Sequence, residues 1–368
     1  MISVNIQKGF DLKITGTPSN ELEHLVNPSH VAVLPEIIPF IKPRLKIKKG
    51  DHVKVGTVLF EDKRNPRIMF LSPGAGEVVG IEFGPRRVIR EIVIRLDADE
   101  QYKDFDQVRL DEIDTLARED VVNALLAGGL WPFLRALPFR DIAGPDKEPP
   151  AIFVSLDTSE PFHPQPDVYL DGHADLFRFG LNILNRLCPT IYVMVAGGNK
   201  KTIELLNGAI THTYKGVYPA NDPGVLLYQI KKAPEENAAW YIYGQDVLHL
   251  ARFFKHGRYP TERVVSLGGS SVKTRKHFQT RAGVPLQHLI RGNAIEGPQR
   301  FILGGVFNGY HGHAHGYMGF YENALNVLPL PDEPELLAFS RPGFNKLSHS
   351  RTFLSSLRST PLDGDGNM

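Results

Sequence analysis

The chain has a single cysteine, Cys188. One thiol excludes a disulfide framework within the chain and any cysteine-based zinc or iron–sulfur site. Long hydrophobic runs are also missing. The longest, Ala124–Leu134, is broken by Gly128, Gly129 and Pro132, far short of the ~20 apolar residues a membrane helix needs. The opening residues, Met1-Ile2-Ser3-Val4-Asn5-Ile6-Gln7-Lys8, form neither an apolar signal core nor an Arg-rich transit pattern. These absences predict a soluble, cytoplasmic chain; if it works at a membrane, something else holds it there. Charge of one sign is lacking too: 42 basic and 41 acidic side chains leave a net +1, with no global footprint for nucleic acid. The signatures G-x-S-x-G, H-E-x-x-H and C-x-x-C do not occur. The residues alone point to a non-catalytic or borrowed-cofactor role.

What is present is an ordinary globular composition: 368 residues, 42% apolar, 10% aromatic and 23% charged. That length supports two or three domains with real cores and excludes disorder of the whole chain. With 34 glycines and 28 prolines, the chain is too rich in loops for a helical bundle. Charge is segregated. Residues 40–67 hold nine Lys/Arg against three Asp/Glu, whereas residues 97–120 hold ten Asp/Glu against three Lys/Arg. This predicts a boundary near residue 100.

Between residues 31 and 97, short apolar runs alternate with lysines and turn signals, as in Leu45, Ile47, Val53 and Val55. They predict a small all-β module. Residues 98–130 carry helical apolar spacing through Leu110, Ile113, Leu116, Val121 and Leu125. Buried strands at 151–156, 191–196 and 238–244 alternate with helices at 176–187, 200–206 and 246–254. That alternation implies a parallel α/β sheet. From Pro260 a compact α+β module follows, with strands at 263–267 and 301–303 and a short helix at 286–291. The polar end, Pro361–Met368, reads as disordered.

Four motifs carry possible chemistry. Gly50-Asp51-x-Val53 with Ser72-Pro73-x-x-Gly76 resembles the biotinyl/lipoyl-type barrel-sandwich hybrid, whose carriers bear a cofactor on a hairpin-tip lysine. Lys63 stands at such a tip, but the lengthened hairpin with Arg64, Pro66 and Arg67 favours a solvated basic loop. Gly197-Gly198 closes a strand and opens a helix, where a nucleotide phosphate could sit; a plain strand-to-helix turn is the favoured reading. His311, His313 and His315 alternate and would share one face of a strand as a metal site, against a polar loop lacking carboxylate support. The segment Trp131-Pro132-Phe133-Leu134-Arg135 through Phe139-Arg140 mixes rings with donors, as a quinone-like ligand requires. The alternative is a packed loop after a helix.

The order of motifs resembles a bacterial family, the NqrA subunits of the sodium-translocating NADH:quinone oxidoreductase. The resemblance rests on Lys8-Gly9-x-Asp11-Leu12-x-Ile14-x-Gly16, on Phe60-Glu61-Asp62-Lys63-x-Asn65-Pro66 and on Gly129-Leu130-Trp131. It continues through Arg135-x-x-Pro138-Phe139, Val195-Ala196-Gly197-Gly198, Gly244-Gln245-Asp246-Val247 and Pro342-Gly343-x-Asn345-Lys346-x-Ser348. The family implies a six-subunit membrane complex that oxidises NADH, reduces ubiquinone and exports Na⁺. NqrA is its peripheral member on the cytoplasmic side of the inner membrane, beside integral-membrane partners, and is linked to the quinone end. Distant similarity to the flavin-carrying subunit of respiratory complex I implies a Rossmann-like core and a β-grasp, SLBB-like module.

Departures from those relatives matter. Where they carry G-R-G-G-x-G-F, this chain has Gly128-Gly129-Leu130-Trp131-Pro132-Phe133. Of their N-x-x-E-x-E-P segment it keeps only part, Ser155 to Pro161. The implied chain has no flavin or iron–sulfur cluster of its own, those being carried by partner subunits, and takes ubiquinone as ligand. Phe40, Ile41, Lys42, Trp131, Phe133, Arg135, Phe139 and Arg140 are the expected quinone-site residues. A docking scaffold using the basic face (Lys42, Arg44, Lys46, Lys48, Lys49, Lys54) is the rival reading, and a nucleotide-binding dehydrogenase the third. The expected divisions are 1–30 (strand and loop), 31–100 (biotinyl/lipoyl-like β module), 101–257 (Rossmann-like α/β domain), 258–330 (β-grasp module) and 331–368 (tail). Family members continue past the polar end, so a C-terminally truncated form is expected.

Overall fold

A computed structural model describes residues 1–11, 14–109, 112–330, 340, 342–344, 346 and 352–357. The expected polar tail at Pro361–Met368, and Leu12, Leu110, Asn345 and Ser348 of the motifs, lie outside the described residues.

Two leading strands, β1 (Ile2–Asn5) and β2 (Leu22–His24), are each lent to a later sheet. Next come β3 (His30–Val33), β4 (Pro43–Leu45), β5 (His52–Val53), β6 (Val58–Asp62), β7 (Asn65–Leu71), β8 (Gly76–Phe83) and β9 (Ile89–Leu96). They form the expected β module as two sheets, β3-β9-β8-β5 and β4-β6-β7. Period-two alternation explains it: Ile92 and Ile94 of β9 are buried while Arg95 is exposed. Phe60 and Phe70, partners across β6 and β7, stack at 4.6 Å, and Phe70 meets Phe320 edge-on at 5.3 Å. On the outer side Glu82 and Glu91 sit directly opposite one another. Burial pushes the Glu91 carboxyl up to about 7, and Glu82 adds to the push. The folded state therefore holds a proton that the unfolded state has lost, and stability falls as pH rises from about 4.5 to about 7. Glu91→Gln is expected to raise the melting temperature by about 2 °C at pH 8 and to leave it unchanged near pH 4; thermal scans at both pH values check this.

The acidic stretch is not the helix its spacing predicts. Among the described residues of this stretch, only α1 (Arg118–Ala127) and a single 3₁₀ turn at Ile113–Thr115 form. Residues 98–109 instead run extended as a strap. Val55 N–H donates to Gln101 O and Phe105 N–H to Gly257 O, at 2.9 and 2.8 Å. The acids are spent on distant cations, Glu100 on Arg281 and Asp104 on Arg258, at 2.7 and 3.2 Å. Clustered like charges weaken a helix, and these partners favour the strap.

The α/β core contains β10 (Arg135–Ala136), β11 (Asp141–Ile142), β12 (Ile152–Ser155), α2 (Pro166–Tyr169), α3 (Ala174–Leu187), β13 (Ile191–Ala196), α4 (Lys200–Leu205), β14 (His212–Lys215), α5 (Pro223–Ile230), β15 (Trp240–Tyr243) and α6 (Gly244–His256). Sequence periodicity anticipates β12, α3, β13, α4, β15 and α6; β10, β11, α2, β14 and α5 are additions. The sheet order is β1-β14-β13-β12-β15-β10-β11, parallel from β1 to β15 and antiparallel at the last two. Helix α3 buries Phe177, Gly180, Ile183, Leu184 and Leu187 on one face. Asp175 in its first turn and Arg186 in its last complement the helix dipole.

The later module has β16 (Glu262–Gly268), β17 (Lys276–Arg281), α7 (Leu286–Ile290), β18 (Gln299–Leu303), β19 (Tyr310–Gly312) and β20 (Ala324–Pro329). With β2 they form a six-stranded sheet, β19-β18-β20-β16-β17-β2, confirming the expected α+β module.

Candidate functional site

The chain leaves β12 toward β13 and β14 on one side, then places β15 on the other. At such a reversal the loops beyond the carboxyl ends of two strands splay apart, which is where open α/β sheets bind ligands. A cleft of about 370 Å³ lies at this point. Asp157 and Glu160 reach it from the loop after β12, Tyr243 from the end of β15, and Tyr218 and Asp222 from the loop after β14. The later module adds Gly305, Asn308, Tyr310 and Glu322, and the β module adds Ile37 and Pro39. Six tyrosines line it: 169, 218, 241, 243, 310 and 321.

Backbone conformation marks the same place. Of the five non-glycine residues with left-handed backbone among the described residues, Phe40, Arg140 and Phe162, with φ of 61°, 63° and 66°, stand at or beside it, and Arg86 and Arg87 lie in the turn between β8 and β9. Left-handed backbone at a non-glycine residue is costly and concentrates at ligand sites. Arg140 lines the cleft, and Phe40 and Phe162 directly adjoin the lining residues Pro39 and His163.

The electrostatics are mixed. Arg140 pairs with Asp222, whose other oxygen accepts the Gly224 N–H at 2.8 Å and caps α5. Arg135 lies over the Tyr321 ring at 4.6 Å and donates to Arg140 O at 2.6 Å. Burial pushes the Asp157 carboxyl up to about 6, although the Ala196 N–H and the Tyr214 hydroxyl, 2.7 Å away, pull it down. Burial likewise pushes Glu160 up to about 7 and His163 down to about 4. The phenol of Tyr243 is pushed up by burial and stays protonated.

Of the expected quinone-site residues, Arg135 and Arg140 line the cleft. Trp131 does not: it is 0% exposed, donates its indole N–H to Ala143 O at 2.7 Å and packs edge-on against Trp240. Phe133 is buried, stacked on Phe320 at 4.7 Å with the Arg263 guanidinium over its ring. Both rings are core because the 3₁₀ turn at Trp131–Phe133 points them inward. Phe139 is 77% exposed and Phe40 56%, both on the outer surface. Ile41 packs against the main core and the Lys42 N–H donates to Asp62 Oδ1 at 2.9 Å; their neighbours Ile37 and Pro39 face the cleft instead.

The other sequence candidates stand elsewhere. Gly197 spends its N–H on Tyr214 O, and Gly198 precedes a helix capped by Asn199 onto the Thr202 N–H. Neither lines the cleft. His311, His313 and His315 are exposed, and no metal-holding group of His, Cys, Asp or Glu occurs among the described residues. Lys63 is exposed in a two-residue turn between β6 and β7, so the hairpin is tight rather than lengthened. On the basic face, Lys46 and Arg44 both pair with Glu61. Sequence reasoning singled out neither Tyr218, Asn308 nor Glu322, which come from separate loops with no shared local pattern. Glu160 lies in the partly kept Ser155–Pro161 segment, which the sequence marked only as a departure from the flavin-carrying relatives.

Comparisons with known proteins agree along the chain. The NqrA N-terminal barrel-sandwich hybrid domain matches residues 4–97, the NqrA second alpha/beta domain residues 116–259 and the NQRA C-terminal domain residues 264–313. The NqrA subunit of the Na(+)-translocating NADH-quinone reductase of Histophilus somni is 35% identical over 359 residues, covering 97% of this chain and 80% of its own. The Pseudomonas aeruginosa protein of the same name is 34% identical over 355 residues, covering 96% and 79%. That of Yersinia pestis is 33% identical over 353 residues, covering 95% and 79%. Among solved structures, an NAD+-reducing [NiFe]-hydrogenase overlaps 63% of this chain and 52% of its own with a TM-score of 0.44 and 10% identity, too loose to bear on the site. With three successive domains matched and relatives of one name aligned over nearly its whole length, the chain belongs to the NqrA family, subunits of the Na(+)-translocating NADH-quinone reductase, a multisubunit enzyme.

Proposed function

We propose that the switch-point cleft is a quinone site and that this chain contributes quinone binding to the complex without a flavin or iron–sulfur cluster of its own. The observation that carries this is the tyrosine-lined wall around Arg140 at the carboxyl ends of β12 and β15. Rings bury a quinone's apolar faces, and the guanidinium and hydroxyls supply donors to its carbonyls. The volume suits a quinone head group. The glycines that would cradle a flavin phosphate do not fit that task. A Cβ on Gly128 would stand 2.3 Å from the Phe253 ring, and one on Gly129 2.5 Å from Leu71. Both are packed against core side chains, so their backbone is not open to a phosphate. No described helix is long and apolar enough to cross a membrane. In this reading the chain is a peripheral member on the cytoplasmic side. The other five subunits, integral-membrane ones included, would then carry the flavins, the cluster and the Na⁺ path.

Titration of the full chain with a short-chain ubiquinone, followed by equilibrium dialysis, tests the proposal. Saturable binding is expected, and Arg140→Ala weakens it by about 10-fold, the worth of a hydrogen bond to a charged group. Binding that never saturates, or an unchanged affinity in Arg140→Ala, contradicts it.

A further inference from the structure

Glu160 reaches out of the core into the wall of the later module. Its side chain is 2% exposed. The carboxyl fills a slot that exists because residue 305 is glycine: a Cβ there would stand 1.3 Å from Glu160 Oε2. The Phe307 N–H donates to the same oxygen at 3.3 Å. The Phe307 ring in turn stacks on Tyr218 at 4.5 Å, tying the slot to the loop after β14. His163 Nε2 lies 3.9 Å away and makes no hydrogen bond among the described residues.

We propose that the Glu160 carboxyl is the group by which the cleft grips a carbonyl oxygen of a quinone-class ligand, donating its own O–H into that hydrogen bond. This rests on the quinone reading of the cleft. A quinone ring offers only acceptors, and a carboxyl can donate only in its neutral form; ionised, it accepts only and repels a carbonyl. Burial holds the group neutral up to about pH 7, against the pull of the Phe307 and Asn308 N–H groups, the Arg140 charge and the Asn308 side chain. The groups facing it keep their charge across the relevant range. Arg140 stays cationic, paired with Asp222. His163 is neutral above about 4, and the Tyr218 phenol is pushed up by burial and by Glu160 itself. Between about pH 4 and about pH 7 the contact between His163 and Glu160 is thus one between two neutral groups and not an ion pair. Two further cleft carboxyls titrate abnormally, Asp157 and Glu322, both raised by burial.

The test is the affinity of the full chain for a short-chain ubiquinone from about pH 6 to about pH 9. Wild type is expected to bind evenly at the acid end and to lose affinity toward about tenfold per pH unit above about 7. Glu160→Gln, whose amide donates at every pH, should bind with no slope. Gly305→Ala, whose Cβ evicts the carboxyl, should bind more weakly and also without slope. Saturable binding with a flat wild-type profile overturns the inference and leaves the quinone reading standing. A slope that survives in Glu160→Gln overturns it in favour of Asp157 or Glu322. Binding that does not saturate at any pH overturns the quinone reading itself.

Discussion

Asp246→Ala is expected to destabilise the protein by about 3–5 kcal/mol, the cost of stranding a buried cation. Asp246 opens α6 at the end of the Gly244-Gln245-Asp246 turn, and Arg263 rises from β16 of the later module to meet it at 2.8 Å. Both side chains are buried, and Arg263 also donates to Phe320 O and lies over the Phe133 ring. Removing the carboxylate leaves the guanidinium without its countercharge in the seam between core and later module. The pH dependence has a definite sign. Burial alone would push the Asp246 carboxyl up, but Arg263 and His249 outweigh it and hold it below its ordinary value. The stabilisation is therefore full above the unfolded carboxyl value, near 3.8, and is lost as pH falls through the lower folded one. Urea unfolding at pH 7 and again below pH 4 checks this. A large gap between wild type and variant at pH 7 that narrows in acid is expected; equal midpoints at pH 7 would contradict it.

Trp131→Ala is expected to cost about 3–5 kcal/mol, as for other fully buried large aromatics. It removes the edge-on contact with Trp240 and the hydrogen bond to Ala143 O, and opens a void against β15. Because Trp131 does not line the cleft, quinone affinity at a temperature where the variant is still folded should equal that of wild type. Calorimetry with dialysis separates the two readouts. A stable variant with lost affinity would place the indole in the binding site after all.

Trp131 also shows where sequence reasoning runs out. Rings, prolines and arginines in one loop look like a binding groove, but the sequence does not say which way a 3₁₀ turn rotates its rings. The arginines of that loop were legible because charged heads avoid the core. The fold was largely legible, since alternation in Val53, Val55, Ile92 and Ile94 and apolar runs such as Ile191–Ala196 are set locally. The 98–130 region was not, because its acids find partners on Arg258 and Arg281 that no local pattern reveals. The cleft fails for the same reason: Glu160 meets Phe307 across 147 positions of sequence. Glycine 305 carries no sign in its neighbours that it makes room for a carboxyl.

The central claim is that quinone sits among Tyr218, Arg140 and Glu160 at the carboxyl ends of β12 and β15. A structure of the assembled complex with bound quinone tests it most directly. The ring is expected in this cleft, with one carbonyl toward Glu160. A ring bound elsewhere in the complex, with the cleft unchanged, would contradict the account.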